Sequence, residues 1–313
     1  MASRLDKLKT SIVVPIHNEE EVLVELHSRI TGVSDEVGLL ELIFIDDGST
    51  DNSWKLVEEL QRIDSRVVGI KLTRNFGHQS AVLCGLSEAR GEVVVIMDGD
   101  LQDPPELIPT MIRMLDEDID IVFGKRTERD GESWLKRSTA KLFYRIFDSL
   151  VPFEIPLDVG DFRVFKRRVG EVVLVSRDTY PFVRALFAHS GFKAVPFAYK
   201  REARFAGTTK YTYSKMFKLA LTALLTFSEA PFRLALRMGF ISLIGAAIAS
   251  TYAIFHAITE SAWPGWASLF LPIIFFGSLN FFFVALLGNY ITSLVGVVSN
   301  RPRWIKDVVI RTR

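Results

Sequence analysis

The chain has 313 residues, of which 49% are hydrophobic and 24% are charged, and its formal net charge at pH 7 is +1. A charge this close to zero argues against a nucleic-acid-binding protein held by bulk electrostatics. The single cysteine, Cys84, excludes an intramolecular disulfide framework and any multi-cysteine metal site. The first ten residues include basic ones, but no apolar stretch follows before the first strand, so we expect no cleavable signal peptide.

The first half of the chain alternates between short apolar runs and amphipathic segments, one of which is a helix predicted over His78–Ala89. This alternation predicts an α/β fold with a mostly parallel sheet covered by helices. Open sheets of this kind bind ligands at the carboxyl ends of their strands. The predicted strands are Ser11–Pro15, Leu42–Asp46, Val67–Leu72, Val93–Met97 and Ile119–Gly124.

Two carboxylates, Asp98 and Asp100, follow the fourth of these strands and are separated only by Gly99. Both can reach a hard divalent cation, which prefers oxygen ligands and often keeps substrate phosphates among its others. An Asp-x-Asp pair alone is a weak signal, and the alternative is an ordinary polar turn. Gln102 and Asp103 follow closely enough to hydrogen-bond the ligands of such a metal.

The other strand ends are also polar. Ser49, Thr50 and Asp51 are predicted to cap a helix or form a turn. Lys125 and Arg126 follow the fifth strand, where Arg126 either neutralises phosphate or is ordinary solvated charge. His78 has no partner at metal-ligand spacing and is predicted to be a surface histidine at a helix N-terminus.

Two further segments combine basic residues with features of a substrate site. An amphipathic helix is predicted over Ser133–Leu150, and Trp134 and Arg137 near its start suit a membrane face or an anionic acceptor, unless they only cover core. The segment Arg201–Tyr211 contains glycine and basic residues between a predicted strand and a helix. It suits a mobile loop that closes over substrate.

Five motifs occur in a specific order, namely PIHNEEE, IDDGSTD, RNFG, MDGDLQDPPE and GDFR. In this order the chain resembles the inverting family-two glycosyltransferases. Within that family it is similar to the polyprenyl-phosphate glycosyltransferases, relatives of dolichyl-phosphate mannose synthase with two C-terminal transmembrane helices. The resemblance covers nearly the whole chain and implies the GT-A fold, a Rossmann-like nucleotide-diphospho-sugar transferase domain.

The resemblance also implies roles for individual residues. It puts a catalytic carboxylate near the acceptor at Asp161 of the GDFR motif, with Asp158 as the alternative. It implies Mg²⁺ or Mn²⁺ held by Asp98 and Asp100. The nucleotide contacts that it implies are Pro15, His17, Glu19, Asp47 and Gln102, with His17 standing where many relatives carry Tyr. Binding of phosphate or acceptor is expected of Arg126, Arg137, Arg204 and Lys210.

The end of the chain is apolar. Residues 238–259 and 261–300 contain no charged side chain, and a transmembrane helix needs about 20 residues, so two spans are predicted. Arginine and lysine flank the pair on both sides but are missing from the connection between them, which predicts both termini in the cytoplasm. The predicted organisation is a catalytic domain over residues 1–214, interfacial amphipathic helices over 215–236, two spans over 237–299 and a cytosolic basic tail over 300–313.

The predicted activity is inverting transfer of a sugar from a UDP- or GDP-sugar to polyprenyl phosphate, on the cytoplasmic face of the inner (plasma) membrane. Relatives suggest a homo-oligomer, a tetramer by family resemblance. One alternative is a non-catalytic, membrane-anchored module that binds a nucleotide sugar. The other is a polysaccharide synthase acting on a different acceptor.

Overall fold

A computed structural model describes residues 8–127, 159–176, 182–200, 237–241, 244–245, 248, 251, 255, 267–298 and 302–312. Asp158, Arg137, Arg204 and Lys210, which the sequence predicts to be site residues, lie outside the described residues. The chain divides into two compact units. The first comprises residues 1–148, 153–212 and 301–313, and the second comprises 149–152 and 213–300.

The first unit is built on an eight-stranded sheet in the order β7-β5-β6-β4-β1-β2-β3-β8. Its strands are β1 (Thr10–Ile16), β2 (Leu39–Asp46), β3 (Val67–Leu72), β4 (Val93–Ile96), β5 (Ile121–Arg126), β6 (Val159–Lys166), β7 (Ala194–Tyr199) and β8 (Lys306–Ile310). The five strands predicted from the sequence are thus confirmed, with bounds shifted by at most three residues.

The helices of this unit cover the sheet. They are α1 (Leu23–Gly32), α2 (Ser34–Val37), α3 (Ser53–Ile63), α4 (His78–Glu88), α5 (Ile108–Arg113), α6 (Arg167–Val175) and α7 (Val183–His189), with a 3₁₀ turn at Pro105–Leu107. The prediction of α4 over His78–Ala89 is accurate to one residue.

The central strands are parallel and buried on both faces. Strand β1 pairs in parallel with β2 and with β4, so that Ile12 lies beside Leu42 on one side and Val95 on the other. All seven residues of β1 and all four of β4 are buried. The apolar runs without alternation therefore mark interior strands, and the chain leaves β1, β2 and β4 at one edge of the sheet.

Strand β6 reverses direction. It pairs antiparallel with β4, with Arg163 opposite Ile96, and antiparallel with β5. Because β6 runs against β4, its first residues lie beside the last residues of β4. This pairing brings Asp161 to the sheet edge where Asp98 emerges.

The last described segment is a strand, which corrects the prediction of a basic tail over residues 300–313. β8 pairs antiparallel with β3, with Ile310 opposite Gly69. Lys306 forms an ion pair with Glu88 of α4, and Arg311 lies 3.4 Å from a carboxylate oxygen of Glu41. Two basic residues of the predicted tail thus fix an edge strand to the rest of the domain.

In the second unit, α8 (Ala267–Val298) is a helix of 32 residues without a charged side chain. Several of its large apolar side chains are exposed, among them Ile273, Phe275, Phe281 and Leu294. Counted over the described residues alone, no helix has the length and hydropathy that crossing a membrane requires. The two spans predicted from the sequence are therefore not shown by the structure.

Candidate active site

The segment after β4 is a tightly turned loop at the carboxyl edge. Asp98 is partly exposed, whereas Asp100 is 9% exposed, and the Asp100 carboxylate accepts the backbone N–H of Gln102 at 3.2 Å. Leu101 adopts a left-handed conformation, with φ of 58°. A non-glycine residue in this region stores strain of about 1 kcal/mol or more, which is common where a loop must present functional side chains.

Asp161 lies next to this loop and is surrounded by donors. His78 Nε2 lies 2.9 Å and Gln79 Nε2 3.3 Å from its Oδ2 atom, while Arg184 Nε donates to Oδ1 at 3.0 Å. Arg163 Nη2 lies 3.6 Å from Oδ1. Burial alone would raise the pKa of Asp161, but Arg184, the hydrogen bond and charge of His78, and Arg163 outweigh it. The pKa of Asp161 is therefore held well below its usual range.

His78 bridges the two carboxylates of the site. Its Nε2 atom lies 3.6 Å from Asp98 Oδ1 in addition to the contact with Asp161. Burial would lower the pKa of His78, but the hydrogen bond with Asp161 and the charges of Asp98 and Asp161 raise it to about 9. His78 is the first residue of α4, as predicted, but the prediction that it has no partner at metal-ligand spacing is wrong, because α4 begins at the same sheet edge as Asp98 and Asp161.

His78, Asp98 and Asp161 offer ligand atoms that lie within 4.8 Å of one another, the spacing of a group that can hold a metal ion. Asp98, predicted as a metal ligand, belongs to this group. Asp100, its predicted partner, is not a member of it. Imidazole and carboxylate donors suit Mn²⁺ as well as other first-row divalent cations.

Arg163, the last residue of the GDFR motif, is a buried part of the same cluster. Its side chain is 4% exposed, donates to the backbone oxygens of Gly160 and Asp161 at 3.3 Å each, and stacks on the Phe187 ring at 4.4 Å. Burial lowers the pKa of Arg163 to about 10. The guanidinium therefore stays charged at neutral pH.

The predicted nucleotide contacts lie in loops that are joined to one another. The backbone N–H of Asn18 donates to Ser49 Oγ at 3.0 Å, and that of Glu19 donates to Ser53 Oγ at 2.9 Å. His17 contacts the loop after β3, where its Nδ1 atom lies 3.4 Å from Asn75 Nδ2. His17 and Glu19 are thus brought to one wall of the carboxyl edge, while Pro15 is buried within β1.

Asp47 has a clear structural task. Its carboxylate is 3% exposed and accepts the backbone N–H groups of Phe76 at 2.7 Å and Gly77 at 2.9 Å. Burial is the largest influence on the Asp47 carboxyl and raises its pKa. The side chain fixes the loop that leads into α4 and so positions His78.

Arg126 lies beside Gly160, the residue before Asp161. An added Cβ at Gly160 would lie 2.7 Å from Arg126 Nη2, so the guanidinium passes close to the start of β6. Arg126 hydrogen-bonds Tyr199, whose hydroxyl in turn donates to the buried Asp103. Among the described residues, these hydrogen bonds connect the loop after β4, which carries Asp103, to β5 and β7.

The sequence analysis assigned no role in the site to the four residues around Asp161, namely His78, Gln79, Arg163 and Arg184. His78 follows the loop after β3, and the rule that placed Asp98 at the carboxyl edge also applies to it. No sequence pattern pointed to Arg184. It lies in a short helix 23 positions after Asp161, and only the packing of that helix brings it to the Asp161 carboxylate.

The mostly parallel sheet thus carries carboxylates, a histidine and guanidiniums at its carboxyl edge. The family model for glycosyl transferase family 2 matches residues 11–174. The chain belongs to this family, which confirms the prediction of a family-two glycosyltransferase. The mostly parallel sheet confirms the GT-A-like part of the predicted fold.

Curated relatives match along nearly the whole chain. The glycosyltransferase YkcC of Bacillus subtilis is 38% identical over 301 residues, covering 95% of this chain and 93% of the relative. A prophage bactoprenol glucosyl transferase homolog of Escherichia coli is 33% identical, covering 95% of this chain and 98% of the relative. The bactoprenol glucosyl transferase of Shigella phage SfV is 32% identical with the same coverage.

Among solved structures, glucosyl-3-phosphoglycerate synthase from Mycobacterium tuberculosis, crystallised with Mn²⁺, UDP and phosphoglyceric acid, superposes with a TM-score of 0.51. The match covers 72% of this chain and 81% of the synthase, at 20% sequence identity. Identity this low supports the fold alone.

Proposed function

We propose that the protein is an inverting glycosyltransferase that moves a sugar from a nucleotide sugar to polyprenyl phosphate. The relatives named as bactoprenol glucosyl transferases support this acceptor, since each covers 95% of the chain. The donor is a UDP- or GDP-sugar, held by the joined loops that carry His17 and Glu19, with Pro15, Asp47 and Gln102 beside them.

The observation that carries this proposal is the environment of Asp161. A general base works best when its pKa lies near the working pH, and the donors around Asp161 hold its pKa well below that range. Such a carboxylate is poorly suited to deprotonating an alcohol. A phosphate monoester, with a second pKa of about 6, is already largely ionised near neutral pH and needs no base. Asp161 then serves to orient the groups around it.

The cofactor is Mg²⁺ or Mn²⁺. Asp98 and Asp100 provide carboxylate oxygens at the carboxyl end of β4, which fits the preference of hard cations. When bound, the cation would supply Lewis-acid stabilisation of the leaving nucleoside diphosphate. Arg126, Arg137, Arg204 and Lys210 would neutralise phosphate oxygens of donor or acceptor, so that catalysis consists mainly of positioning and electrostatics.

An acceptor whose phosphate lies at a bilayer surface is best met by an enzyme attached there. The long uncharged helix α8, with its exposed phenylalanine and isoleucine side chains, supports such attachment. We propose that this part of the chain anchors the transferase in the membrane next to its acceptor.

The test is an organic-extraction assay on purified full-length protein with polyprenyl phosphate, Mg²⁺ or Mn²⁺, and a panel of labelled nucleotide sugars. We expect label from one donor to enter the lipid phase, only when the metal is present. Normal nucleotide binding without lipid label from any donor would favour a binding module. Label that enters a water-soluble glycan instead would favour a polysaccharide synthase.

A further inference from the structure

Two basic side chains from different elements meet at the Asp161 carboxylate. His78 is the first residue of α4 and contacts Oδ2 at 2.9 Å, whereas Arg184 lies in α7 and donates to Oδ1 at 3.0 Å. We infer that His78 and Arg184 bind the phosphate group of the acceptor. This acceptor clamp, as we name the pair, rests on the function proposed above and extends it to residues that the sequence did not assign.

The cluster offers two guanidiniums to an anionic ligand. Arg163 and Arg184 face the Asp161 carboxylate at 3.6 and 3.0 Å, while Asp98, the second carboxylate of the site, faces His78. Arg163 is 4% exposed and contributes its charge from inside the protein. The side chains of His78 and Arg184 are 33% and 31% exposed, so a ligand can reach them.

The clamp also lies where an acceptor phosphate must be. His78 Nε2 is 3.6 Å from Asp98 Oδ1, a predicted ligand of the metal that would hold the donor diphosphate. In a reactive complex the attacking oxygen lies about 3–3.5 Å from the carbon that it attacks. The acceptor phosphate is therefore adjacent to the donor diphosphate, and the clamp borders that position.

Gln79, the residue after His78, connects the two clamp residues. Gln79 Oε1 accepts the backbone N–H of Val183 at 2.9 Å, and Gln79 Nε2 lies 3.3 Å from Asp161 Oδ2. These contacts tie the start of α4 to the start of α7. Asp161 acts here as a positioning residue, because it orients an imidazole and a guanidinium that are suited to phosphate oxygens.

The test compares Arg184→Gln with wild type in the full-length protein, in detergent with metal. We expect the KM for polyprenyl phosphate to rise at least about tenfold, as for a lost charge-assisted hydrogen bond. The KM for the nucleotide sugar should stay within about twofold, because the lost contact involves only the acceptor. Arg184→Lys keeps the charge and should restore part of the loss.

Arg113→Gln is the matched control, because it removes an exposed arginine whose ion pair with Glu36 measures 3.0 Å. It should leave both KM values unchanged. An unchanged acceptor KM in Arg184→Gln would overturn the inference. A rise in the donor KM instead would overturn it too, since the pair would then belong to the donor diphosphate.

A second measurement separates the clamp from the proposed function. Calorimetric titration with farnesyl phosphate, without donor, should show binding to wild type that weakens at least about tenfold in Arg184→Gln and in His78→Gln. If wild type labels no lipid but this loss is seen, the proposed function fails and the clamp stands. If wild type does not bind farnesyl phosphate, or both variants bind it normally, the clamp is overturned.

Discussion

Asp47 and Asp161 lie at the same edge of the sheet, and each is 3% exposed, yet their pKa values shift in opposite directions. Asp47 is held by backbone N–H groups, and burial raises its pKa. Asp161 faces a histidine and two guanidiniums, which lower its pKa despite burial. Equal burial therefore does not predict the role of a carboxylate, because the charge of its partners decides the sign of the shift.

The opposite pKa shifts indicate that the two carboxylates have different tasks at the same edge of the sheet. Asp47 uses both oxygens to fix the loop before α4, which is a structural task. Asp161 organises positive charge beside the predicted metal ligand Asp98, which is an electrostatic task. Substitutions that remove one charge at a time can test whether this division is real.

The largest effect is expected for Asp161→Asn. The change removes the Asp161 charge that His78, Arg163 and Arg184 face, so sugar transfer should fall at least about 100-fold. The free energy of unfolding should fall by about 3 kcal/mol, because one partner of a buried ionic cluster is removed. Turnover measurements and chemical denaturation check both values. Binding of the nucleotide should persist, and its loss would contradict a role on the acceptor side.

A smaller effect is expected for Asp47→Asn. The amide offers one acceptor oxygen where the carboxylate offered two, so the N–H of Phe76 or Gly77 loses its partner at a cost of about 1–3 kcal/mol. Urea denaturation measures this change. The exposed Asp307→Asn is the matched control and should be neutral. If Asp47→Asn abolishes nucleotide binding without loss of stability, Asp47 is a ligand contact rather than a support of the loop.

The smallest effect is a pH dependence carried by His78. Its pKa is raised from 6.5 to about 9 in the folded protein, so its contribution to stability is complete below pH 6.5 and is lost as the pH rises through 9. The melting temperature, measured with a chelator present, should decline by a few degrees over this window. His78→Gln should lack that decline, and an identical slope in the variant would show that His78 does not interact with Asp161 as described.

The sequence predicted the sheet well because its evidence was local. Interior strands such as Val93–Ile96 are unbroken apolar runs, and the polar residues after them mark the carboxyl edge. Asp98 and Asp100 were placed at that edge for this reason. Asp161 was predicted only from the family resemblance, since nothing in the GDFR motif itself reveals which strand it pairs with.

The misses depended on contacts between distant parts of the chain. Arg184 reaches Asp161 through the packing of α7, and β8 reaches β3 across more than 200 residues of sequence. The five residues of β8 resemble a charged tail until their partner strand is known. Pairing of this kind is set by tertiary structure and leaves no periodic signal in a short segment.

The pairing of β8 with β3 also constrains how the chain can meet a bilayer. Strand β7 ends at Tyr199 and β8 begins at Lys306, and both belong to one sheet. The intervening residues must return to the side from which they left, so any crossings among them come in pairs. A reporter fused after β8 would then lie on the same face as the site of sugar transfer.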